Sequence, residues 1–293
     1  MNIAIIGSGG DGAGMNQCLY TLVSSLKKHN IFLFNRGYQG LIDNSISKIG
    51  LKDLKKERTK GGIIIKSSRS KDFMTEKGFK KALQNLCNNK IDVLIVMGGN
   101  GSLQGAKKLI ENGINCIFIP TTIDNDIEES DYSIGFDTAV TNAIDFVEKV
   151  DTSMQSFDRI CIYEVMGRHC EDIANLVTEK TNSSYCYTAK STKENCLRVI
   201  KKELKKEKMP KIILQENVID NLELKEFLTT SLKKYDIKVA VVGYVQRGGN
   251  ATKKELEMAY NFAKQTVSCV KNKNFDKIIC YNSKTLKFEL KKI

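Results

Sequence analysis

The sequence predicts an α/β fold in which parallel sheets carry helices on both faces. Short apolar segments alternate with amphipathic ones along the whole chain, and glycine-rich or charged turns follow several of the apolar segments. At 293 residues the chain has room for one large domain or two modest ones. Ligands of such sheets bind at the carboxyl ends of the strands, so the turns there are the candidate functional segments.

The individual elements follow from the same alternation. Short Ile- and Val-rich segments predict eight strands: Ile3–Gly7, Ile31–Asn35, Ile91–Met97, Cys116–Pro120, Arg159–Val165, Lys211–Gln215, Val239–Gly243 and Lys277–Tyr281. Longer segments with helical spacing of apolar residues predict seven helices: Gly14–Lys28, Ser102–Asn112, Gly135–Ser153, Glu171–Thr178, Thr192–Glu207, Leu222–Lys234 and Lys253–Val270. Composition marks no domain boundary.

Composition excludes several classes of protein. No apolar run approaches the roughly 18–20 residues that span a bilayer, and Met1–Ile6 is too short for a signal peptide. Nine scattered cysteines without a C-x-x-C pair argue against a zinc site or a disulfide framework, and favour a cytoplasmic protein. With two histidines in the chain, carboxylates are expected to carry general-base chemistry.

The net charge of +12 invites a nucleic-acid hypothesis. Much of the excess, however, lies in amphipathic stretches such as Lys201–Lys208, where acids and apolar residues are interleaved, as on a solvated helix face. Basic repeats studded with aromatic residues are absent from the sequence. Small anionic metabolites suit the charge equally well, so we expect no nucleic-acid partner.

The first glycine-rich segment, Gly7–Gly14, formally satisfies G-x-G-x-x-G after a predicted strand. A nicotinamide enzyme also needs an acidic residue near the end of the second strand, where this chain has Asn35 and Arg36. A dinucleotide site and a plain tight turn both remain alternatives for this segment alone.

The second glycine-rich segment is followed by paired carboxylates. Gly98–Ser102 reads GGNGS, a loop with Ser102 in position to start a helix, and glycines there allow a phosphate close to the backbone. About twenty residues later, Thr122–Asp126 reads TIDND. Two acids in a loop are often mere turn-formers, but beside two phosphate-type loops they favour phosphoryl transfer, where a carboxylate orients or deprotonates the attacking hydroxyl.

Two arginines follow predicted strands in equivalent positions. Arg168 lies in Met166–His169, and Arg247 lies in Gly243–Gly249. An arginine flanked by glycines suits a phosphate clamp because its planar fork donates two parallel hydrogen bonds. Each alone is also compatible with an ordinary surface or ion-pair role.

Taken in order, these motifs resemble those of the bacterial ATP-dependent 6-phosphofructokinase family. The resemblance rests on SGGDGAGMN at 8–16, GGNGS at 98–102, TIDND at 122–126, IGFDTA at 134–139, EVMGRHC at 164–170 and QRGG at 246–249. It implies two doubly wound lobes: a nucleotide-binding lobe, 1–135 plus about 248–293, and a sugar-phosphate-binding lobe, about 136–247. It also implies transfer of the γ-phosphoryl of ATP, with Mg²⁺, to the 1-hydroxyl of fructose 6-phosphate by a homo-oligomer, usually a tetramer.

The resemblance also implies roles for individual residues. Asp124 would be the general base, with Thr122 and Asp126 beside it, and Arg168 would stabilise charge on the transferred group. The nucleotide would be lined by Gly9, Arg69, Ser70, Gly99, Asn100, Gly101 and Ser102. The sugar phosphate would contact Met166, Gly167, Glu216 and Arg247 in the same pocket as Tyr244, while Arg159 and Lys238 would reach the site of a neighbouring subunit.

Several residues depart from the family pattern. Asn100 replaces the Mg²⁺-associated aspartate, Lys238 replaces an arginine, Tyr244 replaces a histidine, and Tyr20 and Ser24 replace effector-site arginines. Gly101 favours ATP, since pyrophosphate-using relatives carry aspartate there, whereas Thr121 matches neither group. The alternatives are therefore a pyrophosphate-dependent or altered-sugar kinase, and a weakly active regulatory paralogue that binds nucleotide or sugar phosphate.

Overall fold

The computed structural model of the protein describes residues 1–206 and 208–293. Its strands are β1 (Asn2–Ser8), β2 (Asn30–Leu33), β3 (Val93–Gly98), β4 (Cys116–Pro120), β5 (Arg159–Val165), β6 (Tyr185–Tyr187), β7 (Lys211–Gln215), β8 (Asp236–Val241), β9 (Lys277–Asn282) and β10 (Lys287–Lys292). Its α-helices are α1 (Met15–Ser25), α2 (Gly37–Asp43), α3 (Leu51–Glu57), α4 (Glu76–Asn88), α5 (Asn100–Glu111), α6 (Phe136–Ser156), α7 (Asp172–Lys180), α8 (Lys193–Glu203), α9 (Asn221–Ser231) and α10 (Lys253–Lys271).

The chain divides into two compact units. The first contains Met1–Asp137 and Arg247–Ile293, and the second contains Thr138–Gln246. The boundaries that the resemblance implied lie between residues 135 and 136 and between residues 247 and 248. The structure differs slightly, because it assigns Phe136, Asp137 and Arg247 to the first unit. No helix within 1–206 or 208–293 combines the length and the hydropathy that a membrane crossing requires.

The first unit is built on a six-stranded sheet in the order β10-β9-β4-β3-β1-β2. Alternate residues of β1 enter two different cores: Ile3 and Ile5 pack with α1 and α10, whereas Ala4 and Ile6 pack with α2, α4 and α5. Helices therefore cover both faces, which confirms the predicted doubly wound α/β class. The other five strands of this sheet pair in parallel, as predicted.

The edge strand β10 corrects the expectation of purely parallel sheets, because it pairs antiparallel with β9. A short turn joins the two strands, and a connection of this length can only produce an antiparallel pair. The sequence did not predict β10 because four of its six residues are charged. Helices α2 and α3 were likewise missed, since seven residues are too few to show a clear helical period. Helix α4 was missed as well, although its buried residues Phe79, Ala82 and Leu86 have helical spacing.

The second unit has a four-stranded parallel sheet in the order β6-β7-β5-β8. Ile160 and Ile162 pack in a cluster with residues of α8 and α9, while Tyr163 is buried on the opposite face of β5. Two strand predictions need correction: β6 was missed, and the strand predicted at Val239–Gly243 lies earlier, as β8. Gly243 has φ 57° and begins a 3₁₀ helix, Gly243–Arg247, which ends the extended segment. The helix predicted over Thr192–Glu207 includes Glu207, which lies outside the described residues.

Candidate active site

The second glycine-rich segment is a helix start rather than a loop. The sequence placed the start of the helix at Ser102, but α5 begins at Asn100, with Gly99 as its N-cap in an extended conformation (φ −96°, ψ −166°). Residues Asn100–Ser102 therefore form the first helical turn, where backbone N–H groups point out of the helix end. A Cβ atom on Gly101 would meet nothing within 4 Å, so an anion has room to approach this turn.

Ser102 anchors that turn to the sheet. Its Oγ donates a hydrogen bond to the backbone oxygen of Ser8 at 3.1 Å, and its own carbonyl accepts from the Tyr38 hydroxyl at 2.6 Å. The residue is 5% exposed. Ser102 thus joins α5 to the end of β1, and its backbone N–H donates to the Gly99 carbonyl at 2.9 Å.

The segment Thr122–Asp126, called the acidic loop below, follows β4 directly. Buried Ile123 and Ile127 anchor it at both sides, while Asp124 and Asp126 are partly exposed. The backbone N–H of Asp124 donates to Oγ1 of Thr122 at 3.2 Å, and Asn125 adopts a left-handed conformation with φ 53°. These local bonds hold a tight turn that presents the carboxylates at the end of the strand.

One hydrogen bond connects the acidic loop to α5. Nδ2 of Asn100 donates to the backbone oxygen of Asp126 at 2.9 Å. The structure therefore brings together the helix start and the paired carboxylates, which the sequence placed at the ends of two successive strands. A carboxylate at position 100 could not donate this bond.

Gly9 lies at the end of β1 with φ +88°, and its N–H donates to the carbonyl of Ser68 at 3.1 Å. That bond fixes the segment that carries Arg69 and Ser70. Arg69 is exposed, whereas Oγ of Ser70 donates to Oε1 of Gln39 at 2.7 Å. The Arg69 side chain is thus accessible to a ligand, while the Ser70 hydroxyl already serves a local contact.

Arg247 also belongs to the first unit. Its Nε lies 3.4 Å from Oδ1 of Asp11, in the first glycine-rich segment. Sequence reasoning named Asp11 in a motif and gave it no role. The ion pair shows that this aspartate orients Arg247.

In the second unit, the segment Met166–Arg168, called the arginine turn below, follows β5. The N–H of Met166 donates to Oε1 of Gln246 at 2.8 Å, and Nε2 of Gln246 donates back to the Met166 carbonyl at 3.3 Å. Gln246 is 0% exposed. Arg168 is exposed and left-handed, with φ 54°, a conformation that non-glycine residues adopt only when their surroundings fix it.

Glu216 helps to hold Arg168 in this left-handed conformation. Its Oε1 accepts hydrogen bonds from the N–H groups of Gly167 at 3.1 Å and of Arg168 at 2.8 Å. Nε2 of the neighbouring Gln215 donates to the Arg168 carbonyl at 3.1 Å. Glu216, expected to contact the sugar, therefore also holds the arginine turn.

Arg159 and Lys238 converge on one carboxylate. Nε of Arg159 lies 2.7 Å from Oδ2 of Asp236, and Nζ of Lys238 lies 2.9 Å from its Oδ1. Hydrogen bonds from Lys238 and Arg159 lower the pKa of the Asp236 carboxyl below its usual value. Sequence reasoning did not identify Asp236.

This cluster does not lie with the arginine turn. Arg159 begins β5 and Arg168 follows its end, so the length of the strand, roughly 20 Å, separates them. Tyr244, in the 3₁₀ helix, is 76% exposed. Within the second unit, the predicted sugar-phosphate residues therefore form two groups at opposite ends of the sheet.

The donors near the acidic loop suit Mg²⁺ that arrives with a polyphosphate. Among residues 1–206 and 208–293, no group of three or more His, Cys, Asp or Glu side chains could hold a metal ion on its own. Mg²⁺, however, commonly binds through one or two carboxylates together with substrate phosphates. Asp124, Asp126 and Oδ1 of Asn100 offer that oxygen chemistry, so the residues fit a phosphate-bound ion.

A glycine-capped helix start beside paired carboxylates, on a doubly wound α/β fold, is typical of proteins that act on phosphorylated ligands. Residues 2–270 match the family described as Phosphofructokinase, and the chain belongs to this family.

Relatives with curated names agree with that assignment. The ATP-dependent 6-phosphofructokinase of Clostridioides difficile (strain 630) is 38% identical over 258 residues, which cover 85% of this chain and 80% of that protein. The probable ATP-dependent 6-phosphofructokinase of Malacoplasma penetrans (strain HF-2) is 33% identical over 288 residues, covering 94% and 89%.

The fold is similar to that of a solved structure. Pichia pastoris phosphofructokinase in the T-state superimposes with a TM-score of 0.90 at 25% identity. The match covers 99% of this chain and 34% of the Pichia chain, so this protein spans about a third of that longer one.

Proposed function

We propose that the protein is an ATP-dependent 6-phosphofructokinase, which transfers the γ-phosphoryl of ATP to the 1-hydroxyl of fructose 6-phosphate. The observation that carries the proposal is the hydrogen bond between Asn100 and Asp126, which joins the start of α5 to the acidic loop in a member of this family. A polyphosphate at the helix start would then lie beside the carboxylate that activates the attacking hydroxyl.

Asp124 is the general base in this proposal. Its carboxylate takes the proton of the 1-hydroxyl as the hydroxyl oxygen bonds to the γ-phosphorus, while the bond from that phosphorus to the β,γ-bridging oxygen breaks and ADP leaves. Thr122 fixes the turn through the Asp124 N–H. The guanidinium of Arg168 would stabilise negative charge on the transferred group.

The first unit supplies the nucleotide contacts. The N–H groups at the start of α5, Gly99 to Gly101, would hold the phosphates, with Gly101 allowing close approach and Ser102 anchoring the turn. Gly9, Arg69 and Ser70 would line the same ligand. Bound Mg²⁺ would neutralise charge on the β- and γ-phosphates, held by Asp126 and Asn100, since a metal-bound Asp124 would be a weaker base.

The second unit supplies most of the sugar-phosphate contacts. Met166, Gly167 and Glu216 would contact fructose 6-phosphate, together with Arg247 and Tyr244. Arg159 and Lys238 lie at the far end of β5 and β8, and we propose that they serve the site of a neighbouring subunit in a homo-oligomer. We also propose that the protein is cytoplasmic, since nine scattered cysteines without a C-x-x-C pair are typical of a reducing compartment.

The alternatives are less well supported. Curated relatives at 33–38% identity are named ATP-dependent enzymes, and Gly101 leaves open space where an acid would crowd a nucleotide. The hydrogen bond of Asn100 gives that residue a constructive role, which weakens the case for a decayed regulatory paralogue.

Purified protein with fructose 6-phosphate and Mg²⁺ tests the proposal, with ATP and pyrophosphate compared as donors. We expect fructose 1,6-bisphosphate and ADP from ATP, and turnover with pyrophosphate below about 1% of that rate, a difference of roughly 3 kcal/mol in transition-state stabilisation. Faster turnover with pyrophosphate would establish the first alternative. No product with either donor, in protein that binds both ligands, would establish the regulatory alternative.

A further inference from the structure

A buried carboxyl group lies on α10, in the same unit as the acidic loop. Glu255 is 0% exposed, and its Oε1 accepts hydrogen bonds from the N–H of Gly135 at 2.9 Å and from the Tyr132 hydroxyl at 3.1 Å. Burial and the adjacent carboxylate raise the pKa of Tyr132 well above its usual value, so the phenol remains protonated and donates. A carboxyl buried this completely requires such partners.

The sequence position of Glu255 on its helix indicates a different partner from the one that the structure shows. Thr252 is the N-cap of α10, and its Oγ1 accepts from the N–H of Glu255 at 3.0 Å. A glutamate three residues after such a threonine is typical of a capping box, in which the carboxylate returns to its own helix start. Here Oε1 of Glu255 binds a different segment, the turn before α6.

That turn packs directly against the acidic loop. Gly135 has φ +110°, and a Cβ there would lie 3.4 Å from Cγ2 of Ile123 and 3.4 Å from the Cα of Gly12. Ile123 immediately precedes Asp124. On the other side, a Cβ on Gly14 would lie 3.0 Å from Cγ of Glu255. The turn at Gly135 therefore packs tightly between its neighbours, which are the Glu255 side chain, the first glycine-rich segment and the acidic loop.

We propose that Glu255 is a positioning residue for Asp124. By holding the Gly135 N–H, it fixes the turn against Ile123 and thereby fixes the backbone from which the Asp124 carboxylate projects. The catalytic consequence rests on the proposed function of Asp124. Misplacement of a reacting group by about 1 Å can cost roughly 10²-fold in rate, so loss of this contact should lower kcat by about 10-fold or more.

Two variants of Glu255 and one control test the proposal. Glu255→Met keeps the length of the side chain and removes the acceptor, while Glu255→Gln keeps an oxygen that can accept from Gly135. Glu257→Ala, at an exposed glutamate on the same helix, is the matched control. The measurements are kcat and KM for both substrates, and deuterium uptake by peptides that cover residues 121–136.

We expect Glu255→Met to lose about 10-fold or more in kcat, to change KM for fructose 6-phosphate by less than about threefold, and to exchange faster over residues 121–136. Glu255→Gln should recover kcat to within about threefold of wild type, and Glu257→Ala should match wild type. A folded Glu255→Met protein with wild-type kcat and exchange would overturn the proposal, as would equal losses in the Met and Gln variants.

The exchange data also separate this inference from the proposed function. A wild-type protein without kinase activity would refute the function of Asp124 and with it the catalytic role of Glu255. Deuterium uptake would then still decide whether Glu255 fixes the acidic loop. If Glu255→Met fails to fold, Tyr132→Phe removes one donor at this carboxyl, and unchanged exchange over 121–136 together with unchanged kcat in that variant would count against the proposal.

Discussion

The acidic loop and the arginine turn lie at the carboxyl ends of strands in two different sheets, yet they are held in different ways. Buried apolar anchors, close glycine packing and the Asn100 amide hold the acidic loop, and its carboxylates remain partly exposed. Side chains hold the arginine turn: Glu216 and Gln246 both bond its backbone. Acids therefore have different parts in the two units: Asp124 is the proposed general base in one, and Glu216 supports the backbone of an arginine in the other.

The largest effect is expected from removing Asp124, the proposed general base. Asp124→Ala should lower kcat by about 10²-fold or more, because general-base assistance contributes roughly that much. Steady-state assays with ATP and fructose 6-phosphate measure it. The control is Glu128→Ala, an exposed acid four residues later, which should leave kcat unchanged. Equal activity of Asp124→Ala and wild type would remove Asp124 from the mechanism.

A smaller effect is expected from the acid that supports the arginine turn. Glu216→Ala leaves the N–H groups of Gly167 and Arg168 without their acceptor, and hydrogen bonds to a charged group are worth about 1.5–3 kcal/mol. We expect kcat/KM for fructose 6-phosphate to fall by about 10-fold or more, with KM for ATP unchanged.

Glu216→Gln, which retains an acceptor oxygen, should recover part of that loss. Glu226→Ala, an exposed glutamate on α9, serves as the control. If Glu216→Ala raised KM for ATP and left KM for the sugar phosphate unaltered, the assignment of ligands to the two units would be wrong.

Substitution of Asn100 should alter metal dependence more than turnover. In Asn100→Asp the carboxylate cannot donate to the Asp126 carbonyl, but it adds a charged oxygen ligand. We expect the half-saturating Mg²⁺ concentration to fall by about threefold, since ligand charge tunes affinity for such cations.

Asn112→Asp, at the C-cap of the same helix, is the matched control, because its amide likewise donates to a backbone carbonyl. A Mg²⁺ dependence that shifts equally in both variants would mean that position 100 has no special relation to the ion.

The smallest effect concerns Asp236 and the pH dependence of stability. The pKa of this carboxyl is lowered in the folded protein, so the stabilisation exists above the unfolded pKa of about 3.9 and is lost as pH falls through the folded value. Asp236→Asn should therefore lower the thermal midpoint slightly at pH 7 and by less at pH 3. Because the carboxylate is 45% exposed, solvent screens the pair and the shift is small. A larger shift at pH 3 than at pH 7 would contradict this sign.

The sequence predicted those parts of the molecule that repeat a simple pattern. The buried strands β4, β5 and β7 have the bounds predicted for them, because an unbroken apolar segment specifies a strand buried on both faces. The charged edge strand β10 and the short helices α2 and α3 lack such a pattern and were missed, and the longer helix α4 was missed as well. The ordered motifs predicted the family, and the match of residues 2–270 to the Phosphofructokinase family confirms that prediction.

The supporting residues of the site were beyond the reach of pattern reasoning. Gln246, Asp236 and Glu255 act through partners 80, 77 and 120 residues away. Such contacts depend on the tertiary structure, and each residue type is common at surfaces. For Glu255, the local capping-box spacing even indicates a different partner. The roles of the site residues remain predictions from the resemblance, and the structure adds their positions and hydrogen-bond partners.

Single-turnover measurements on Asp124→Ala show whether this carboxylate acts in the transfer step itself. Enzyme in excess over ATP labelled at the γ-phosphate is mixed with saturating fructose 6-phosphate and quenched over time, while calorimetry measures the binding of each ligand separately. For a general base, we expect dissociation constants within about threefold of wild type and transfer slower by about 10²-fold or more. Transfer at the wild-type rate, or a loss explained entirely by weaker binding, would contradict it.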